Sequence, residues 1–240
     1  MKTIIIGCGS TGSSLAKRLF KRNVPLHLIS RTEDSLKLLA SEVKATYDPV
    51  DVFDDAKLKS ALEAASKEGC SGLVYTAGSI MLKPFKNHSL KDFQDTIHLN
   101  MIAPARAIQH AFNGLQQSGA ASVVLFSTVA ARQGFPSHAA IASAKGGVEA
   151  LTRSLAAELS PKVRVNCIAP SLTDTKMAQF LTKNEKVKES LASMHPIPRI
   201  GVADDLSALA DFLLNPELSG WITGQVISVD GGRSTLRPKN

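Results

Sequence analysis

Three glycines near the start of the chain have the spacing of a phosphate-binding turn. They form the pattern GxGxxG between an apolar segment, residues 2–6, and a helix predicted over residues 13–20. Glycines let the backbone turn sharply and approach a pyrophosphate, and the start of a helix offers free N–H groups and a positive dipole end. A turn that merely needs flexible residues is the alternative. We predict a dinucleotide site formed by Gly7, Gly9, Ser10, Thr11, Gly12 and Ser13.

The end of the second predicted strand, residues 25–29, bears on which dinucleotide binds. An acidic residue about twenty positions past the glycines holds the ribose 2′-hydroxyl in NAD-binding units. Ser30 stands there and Arg31 follows. An acid would repel a 2′-phosphate, whereas a guanidinium binds one through charge-assisted hydrogen bonds. We therefore predict NADP in preference to NAD, although Arg31 could be a solvated loop residue and Glu33 or Asp34 could compete for the ribose.

The elements that position these residues alternate between strands and helices. Residues 122–127 form a β-branched segment, residues 138–159 read as a helix that Pro161 stops, and residues 163–168 form the next strand. A strand, crossover helix and strand of this size pair in parallel. The same alternation continues from end to end, which predicts one α/β domain, residues 1–240, with a doubly wound parallel sheet, a Rossmann fold.

The second half of the chain resembles the active-site segment of the short-chain dehydrogenase/reductase family. That segment has Ser, then Tyr thirteen residues on, then Lys four residues further. The corresponding residues here are Thr128, Ile141 and Lys145. Residues four apart share a helix face, so in the family the lysine lowers the tyrosine pKa, and it also binds the nicotinamide ribose. The resemblance implies catalytic roles for Thr128 and Lys145, with the family's proton donor replaced by Ile141.

The resemblance covers nearly the whole chain and implies roles for other residues. Gly7, Cys8 and Ser14 replace the Thr and two Gly of the family's TGxxxGxG. Asn100 matches a catalytic asparagine that holds a water feeding a proton relay to the lysine; a helix asparagine bonded to backbone is the alternative. The remaining positions assigned to the cofactor are Asp51 and Val52 at the adenine, Ala77 and Gly78 at the ribose, and Pro170, Thr173 and Thr175 around the nicotinamide.

The family resemblance also implies an architecture. We expect seven strands in the order 3-2-1-4-5-6-7, a substrate lid over residues 176–198, and a homo-oligomer, either tetramer or dimer. Ser171 replaces a glycine of the family's pattern just before this lid, and Asp51 could instead cap the helix predicted at residues 54–67. Small side chains that would permit close contact between subunits, or against the sheet, are Ala139, Ala142, Gly146 and Ala150.

Loss of the tyrosine leaves two hypotheses for function. The first is an NADP(H)-dependent oxidoreductase that moves hydride between nicotinamide and a carbonyl or alcohol substrate with an altered proton donor. Histidine is the side-chain type that most readily exchanges protons near neutral pH, so His138 could supply the proton, as could Lys145 or a water held by Thr128. His138 could equally be a solvated residue at a helix start. The second hypothesis is a cofactor-binding pseudoenzyme that acts as a sensor or partner subunit.

The amino-acid composition limits the kinds of protein and binding partner that fit this sequence. The chain is 44% hydrophobic and 20% charged, as globular domains are, and its net charge of +7 comes without a basic run or a nucleic-acid motif. Cys8, Cys70 and Cys167 are scattered, which predicts reduced thiols and no zinc site. No segment approaches the ~20 apolar residues of a membrane span, and residues 4–6 are too short for a signal peptide. We expect a cytoplasmic protein with a small-molecule substrate and no nucleic-acid, membrane or metal partner.

Overall fold

Seven parallel strands form the central sheet of the structure, a computed structural model that describes residues 1–237. Their order is β3-β2-β1-β4-β5-β6-β9, which confirms the predicted order, with β9 as its seventh strand. A separate pair is formed by β7 and β8. The strands are β1 (Lys2–Ile6), β2 (Leu26–Ser30), β3 (Thr46–Pro49), β4 (Cys70–Tyr75), β5 (Ala121–Phe126), β6 (Val163–Pro170), β7 (Thr173–Asp174), β8 (Gly201–Val202) and β9 (Val226–Val229).

Eleven α-helices connect these strands within residues 1–237. Short 3₁₀ turns lie at Phe85–Asn87, Val129–Ala131 and Lys176–Ala178, and a π-helical turn covers His98–Ile102. The helices are α1 (Ser10–Lys21), α2 (Glu33–Glu42), α3 (Asp55–Ser66), α4 (Leu90–Ile97), α5 (Ala103–His110), α6 (Phe112–Ser118), α7 (Ala139–Leu159), α8 (Gln179–Thr182), α9 (Glu185–Ser193), α10 (Ala203–Leu214) and α11 (Pro216–Ser219).

The helices cover both faces of the sheet, which confirms the doubly wound α/β fold. One core packs α3, α5, α6 and α7 against the sheet, with Leu62 and Val148 buried in it. The other core packs α1, α2 and α10 against the opposite face, with Leu15 and Leu213 buried. Because both faces are covered, inner strands such as β1 are apolar along their length and do not alternate.

The sequence predicts a third strand over residues 43–47 and a mostly helical stretch over residues 89–117 with an interruption near Pro104, and only the strand differs from the structure. The third strand was expected at residues 43–47 and lies at Thr46–Pro49, because Val43 ends α2 as a buried cap and Lys44 adopts a left-handed φ of 52°. The helical stretch expected at residues 89–117 is interrupted before Pro104, by the π-helical turn. Proline has no N–H to donate to the carbonyl four residues earlier, so the helix widens just ahead of it.

Several predicted absences can be compared with the described residues. Among residues 1–237, no helix has both the length and the apolarity to cross a bilayer. In the same part of the chain no cluster of three His, Cys, Asp or Glu is placed to hold a metal ion. All three cysteines are free thiols. Residues 238–240, the end of the predicted tail, lie outside the described part.

Candidate active site

A cavity of about 600 Å³ opens at the carboxyl ends of β1, β4, β5 and β6. Its wall is mostly apolar, and it is shared by the glycine turn, the strand ends, α7 and the segment after β6. This is the edge of an open α/β sheet where ligands bind. The predicted site residues that line it are Gly9, Ser10, Thr11, Gly12, Ala77, Gly78, Asn100, Thr128, Ile141, Lys145, Pro170, Thr173 and Thr175.

The glycine turn presents the start of α1 to this cavity. Helix α1 begins at Ser10, three residues earlier than predicted, with Gly9 as its N-cap. The first helical hydrogen bond runs from the N–H of Ser13 to the carbonyl of Gly9 at 2.8 Å. The preceding N–H groups of Ser10, Thr11 and Gly12 therefore lack helical acceptors and are available to an anion.

Close backbone contacts explain the glycines in this turn. Gly7 has a φ of +95°, and a Cβ there would lie 2.3 Å from the nitrogen of Ala77. A Cβ on Gly12 would lie 2.1 Å from the carbonyl oxygen of Gly7. A Cβ on Gly9 would meet no atom within 4 Å. Gly7 and Gly12 thus shape the turn, while Gly9 leaves open space in front of the helix that a phosphate would fit.

The residues predicted at the adenosine end lie outside the cavity wall. Ser30 ends β2, and the side chain of Arg31 is 77% exposed with its Nη1 3.9 Å from Asp51 Oδ2. Asp51 accepts a hydrogen bond from the N–H of Phe53, and α3 is capped instead by Asp54, so the capping alternative for Asp51 is wrong. The nearby Val52 is buried in the core below the turn.

Thr128, Ile141 and Lys145 converge on the cavity as the family resemblance implies. Thr128 lies two residues past the end of β5 and accepts the N–H of Ala130 at 3.3 Å, while Ile141 and Lys145 face the cavity from α7. The Nζ of Lys145 donates to the carbonyl of Phe126 at 2.8 Å. Burial lowers the pKa of Lys145 to about 8, because it disfavours the ammonium form. The site therefore holds a hydroxyl and an amine with an apolar side chain between them.

Asn100 is brought next to Lys145 across Gly78. It lies buried in the π-helical turn, where its Nδ2 donates to the carbonyl of Thr96 at 3.0 Å and its Oδ1 accepts the N–H of Ser79 at 3.3 Å. A Cβ on Gly78 would lie 2.9 Å from Asn100 Oδ1 and 3.9 Å from Lys145 Nζ. Asn100 therefore makes the backbone bond of the alternative interpretation and also occupies the position that the resemblance implies.

The segment after β6 closes the cavity on the other side. Thr173 is buried, and its hydroxyl donates to the carbonyl of Ser171 at 3.1 Å. The N–H of Lys176 donates to Ser10 Oγ at 3.3 Å, so the start of the predicted lid lies against the glycine turn. Residues 176–198 contain the 3₁₀ turn, α8 and α9, and an ion pair of 3.2 Å between Lys188 and Asp174 ties α9 back to β7.

The side chains considered as substitute proton donors differ in their surroundings. His138 lines the cavity, and its Nδ1 donates to the carbonyl of Pro136 at 2.7 Å. Ser143, two residues after Ile141, lies on an exposed face of α7 and donates to the carbonyl of Ala139. Tyr75 is buried and donates to the carbonyl of Leu99, and burial raises its pKa. Of these side chains, His138 alone is placed to reach the cavity.

Two polar groupings next to the site have no counterpart in the sequence prediction. The first joins α7 to the loop after β5: buried Glu149 accepts from Ser127 Oγ and from Arg132 Nε, each at 3.0 Å. The second pairs Ser171 with the buried His195, 2.8 Å apart. Glu149 lies four residues after Lys145, and this spacing was a readable signal for a shared helix face. The Ser171–His195 contact spans 24 residues and had no local signal.

Comparison with known proteins agrees with this geometry. The family model described as enoyl-(acyl carrier protein) reductase matches residues 8–234. A tropinone reductase homolog of Arabidopsis thaliana is 30% identical over 242 residues, covering 96% of this chain and 91% of that protein. A short-chain type dehydrogenase/reductase from Mycobacterium ulcerans has a TM-score of 0.91 at 27% identity, covering 100% of this chain and 92% of that one.

A further solved structure shows likeness of fold alone. A gluconate 5-dehydrogenase from Burkholderia cenocepacia, in complex with NADP and tartrate, has a TM-score of 0.91 at 22% identity and covers 98% of this chain and 96% of that one. The fold, the family model and the related sequences lead to one conclusion. The chain belongs to the short-chain dehydrogenase/reductase family, a family of oxidoreductases.

Proposed function

We propose that this protein is an NADP(H)-dependent oxidoreductase that acts on a carbonyl or alcohol substrate with an altered proton donor. The observation that carries the proposal is the meeting, in one cavity, of the free N–H groups of α1, the buried amine of Lys145 and the hydroxyl of Thr128. These groups fit a nicotinamide dinucleotide: an anion site at one end, a cation in the middle and an apolar chamber at the other end.

The chain's own residues would bind the cofactor and substrate as follows. The N–H groups of Ser10, Thr11 and Gly12 would hold the pyrophosphate, and Lys145 would hold the nicotinamide ribose. When bound, the nicotinamide supplies or accepts a hydride. Thr128 would orient the substrate oxygen, and the mostly apolar wall would exclude water from it.

Arg31 supports the choice of NADP. Its side chain is exposed at the end of β2, where no acid stands to hold a 2′-hydroxyl, and its contact with Asp51 is a loose 3.9 Å. A charged hydrogen bond contributes about 1.5–3 kcal/mol, so Arg31→Ala should weaken NADP binding roughly ten- to a hundredfold and change NAD binding little. Lys37→Ala, an exposed lysine on α2, is the control, and equal losses for both cofactors would contradict the assignment.

Ile141 supports a second candidate function, that of a cofactor-binding pseudoenzyme. It is 5% exposed and lies in the cavity wall where the family resemblance places the proton donor. Such a site would bind the dinucleotide without ordinary turnover, as a sensor or partner subunit does. Fluorescence titration with NADPH, combined with turnover on aromatic ketones, vicinal diketones and aldoses, separates the two functions. Binding with turnover supports the oxidoreductase, and binding without turnover across this panel supports the pseudoenzyme.

We also propose that the protein is a cytoplasmic homo-oligomer, a dimer or tetramer. Its three free thiols are consistent with a reducing compartment. Two surfaces favour self-association. The outer face of α7 carries Gly146, where a Cβ would meet no atom within 4 Å, and the far edge of the sheet carries the fully exposed Trp221 near Leu218.

A further inference from the structure

The Ser171–His195 pair lies at the side of the cavity that faces the end of β6. Ser171 directly follows β6, as Thr128 nearly follows β5, and these two strands are neighbours with Phe126 opposite Ile168. Adjacent strands are about 4.8 Å apart, so residues just past their ends lie close together. Ser171 and Thr128 both line the cavity, and Ile141 lines it from α7.

The hydrogen bonds of His195 fix which nitrogen carries its proton. His195 is 2% exposed, and its Nδ1 lies 3.0 Å from the carbonyl oxygen of Leu191. A carbonyl can only accept, so Nδ1 holds the hydrogen and the Nε2 of a neutral imidazole is bare. Ser171 Oγ, 2.8 Å away, then donates to Nε2. In the imidazolium form Nε2–H donates to Ser171 instead, which frees the serine hydroxyl hydrogen to point elsewhere.

We propose that Ser171 and His195 deliver the proton to the substrate oxygen in place of the absent phenol, with Ser171 as the catalytic residue that touches the oxygen and His195 as the positioning residue behind it. This inference rests on the proposed oxidoreductase function. Two departures from the family pattern complement each other here: Ile141 removes a hydroxyl from the cavity, and Ser171 adds one where the family has glycine.

The proton transfer balances as follows. Hydride addition to the carbonyl carbon, a two-electron reduction at the expense of the dinucleotide, leaves the electron pair of the broken C–O π bond on oxygen. The O–H bond of Ser171 breaks as the product O–H bond forms, and the Nε2–H of the His195 imidazolium passes to Ser171 Oγ. Neutral imidazole remains, and solvent returns one proton through the cavity mouth after the alcohol leaves.

A carboxylate and a guanidinium carry the charges near His195. Asp230, just after β9, is the carboxylate that interacts electrostatically with His195. Although burial alone would raise the pKa of Asp230, hydrogen bonds from Ser234 and the N–H of Gly232 hold it lowered, so an anion faces the imidazole at neutral pH. Arg233 in the same turn lies over the ring of Phe135 at 5.1 Å and contacts Met194.

The tautomer of His195 tests the pair without turnover. In the cofactor-free protein, ¹⁵N NMR of the imidazoles, assigned through His195→Gln, should show a neutral His195 protonated at Nδ1, the less common tautomer. Ser171→Ala should change the Nε2 shift. A neutral His195 that is protonated at Nε2, or an Nε2 shift that Ser171→Ala leaves unchanged, would overturn the proposal.

Kinetics test the same pair in the assembled enzyme. With NADPH and whichever panel carbonyl is reduced, Ser171→Ala and His195→Gln should each lower kcat by about 10²–10⁴-fold with the KM for NADPH unchanged, and Ser171→Thr should recover part of the loss. The fall of kcat with rising pH in the parent should vanish in His195→Gln, which keeps an acceptor but cannot titrate. Ser143→Ala is the matched control.

The outcomes separate this inference from the proposed function. If hydride transfer proceeds and both variants keep the parent's kcat and pH profile, the pair is not the donor, and a loss in His138→Gln instead would assign the role to His138. If the parent shows no hydride transfer to any carbonyl, the proposed function fails, and the inference that rests on it fails with it.

Discussion

Burial of Lys145 carries an electrostatic cost at the site. Its pKa falls from 10.5 to about 8 because burial disfavours the ammonium, which is stabilised by the carbonyl of Phe126 at 2.8 Å. A cation buried there destabilises the fold, and the proposed anionic dinucleotide would relieve that cost. The proposed function and stability are therefore opposed at this position.

Replacing Lys145 by methionine should make the cofactor-free protein more stable. One pKa unit corresponds to 1.36 kcal/mol, so the gain in the free energy of unfolding at pH 7 is at most about 3 kcal/mol. Between pH 8 and 10.5 the unfolded chain binds more protons than the folded one, so the parent's stability rises with pH and the gain from Lys145→Met shrinks. Urea unfolding at pH 7 and pH 10 measures both effects.

The control for this prediction is Lys162→Met, at an exposed lysine, which should change stability by less than ~0.5 kcal/mol. Lys145→Met should also weaken NADPH binding, because it removes the cation expected at the ribose. A variant that is less stable than the parent at both pH values, or that binds NADPH equally well, would contradict the assignment.

Ile141 tests whether the rest of the family geometry is in place. In a Ser171→Ala background, which lacks the proposed donor, Ile141→Tyr puts a phenol one helical turn before Lys145 and into the cavity that Thr128 lines, and this should raise carbonyl reduction by ~10²-fold or more. The larger side chain costs about 1–3 kcal/mol of stability. Ile141→Phe is the matched control for size. If Ile141→Tyr is slower than the parent while both bind NADPH, the parent already has an effective proton path.

The start of α1 is the element on which the proposed dinucleotide binding depends. Gly9 has φ −72° and ψ −160°, a conformation open to any residue, and its missing Cβ faces empty space. Gly9→Val should therefore fold normally yet place methyl groups where a phosphate would lie, and we expect NADPH affinity to fall at least tenfold. Titration calorimetry and thermal unfolding of Gly9→Val and of Gly146→Ala, another open glycine, distinguish loss of the ligand from loss of the fold.

The contact between helices α1 and α10 accounts for the serine at position 14, where the family's pattern has a glycine. Ser14 stands where that pattern has its last glycine, and its Oγ lies 2.7 Å from Ser207 Oγ on α10. An ion pair between Arg18 and Asp204 joins the same two helices. A glycine would let two helices pack closely at such a contact. In this chain a hydrogen bond between two small side chains, Ser14 and Ser207, holds the helices together instead.

Elements with local signals were predictable, and contacts across the chain were not. The βαβ unit around α7 and the glycine turn follow from periodicity and turn chemistry, so their strands and helices agree with the structure to within a few residues. The third strand was misplaced because the apolar Val43 ends a helix and does not begin a strand. The site contacts among Glu149, Arg132 and Ser127 depend on tertiary packing that no local pattern records.

The edge of the sheet formed by β9 bears on how the molecule associates with other chains. Within residues 1–237, strand β9 pairs with β6 alone, which leaves its other edge open in this part of the chain. Trp221, the only tryptophan of the chain, is fully exposed just before this strand. Open strand edges and exposed aromatic side chains favour association with another chain. A second copy of this chain fits that role in the proposed homo-oligomer.

Size-exclusion chromatography with light scattering should show a mass of two or four times the 25.5 kDa of one chain. Trp221→Glu should reduce that mass, because a buried, unpaired charge destabilises an interface. Leu38→Glu, at an exposed leucine on the separate helix α2, should leave the mass unchanged. A parent of 25.5 kDa, or a Trp221→Glu variant with the parent's mass, would contradict this surface as the interface.

Hydride transfer by this site, with Ile141 at the tyrosine position, can be followed as deuterium transfer. 4-Deuterated NADPH, prepared as both stereoisomers, is supplied with the carbonyl panel, and the alcohols are weighed by mass spectrometry. We expect a product heavier by one mass unit with one of the two isomers, and loss of that product with Gly9→Val. A protein that binds NADPH tightly yet delivers no deuterium to any carbonyl would show that the site does not transfer hydride to these substrates.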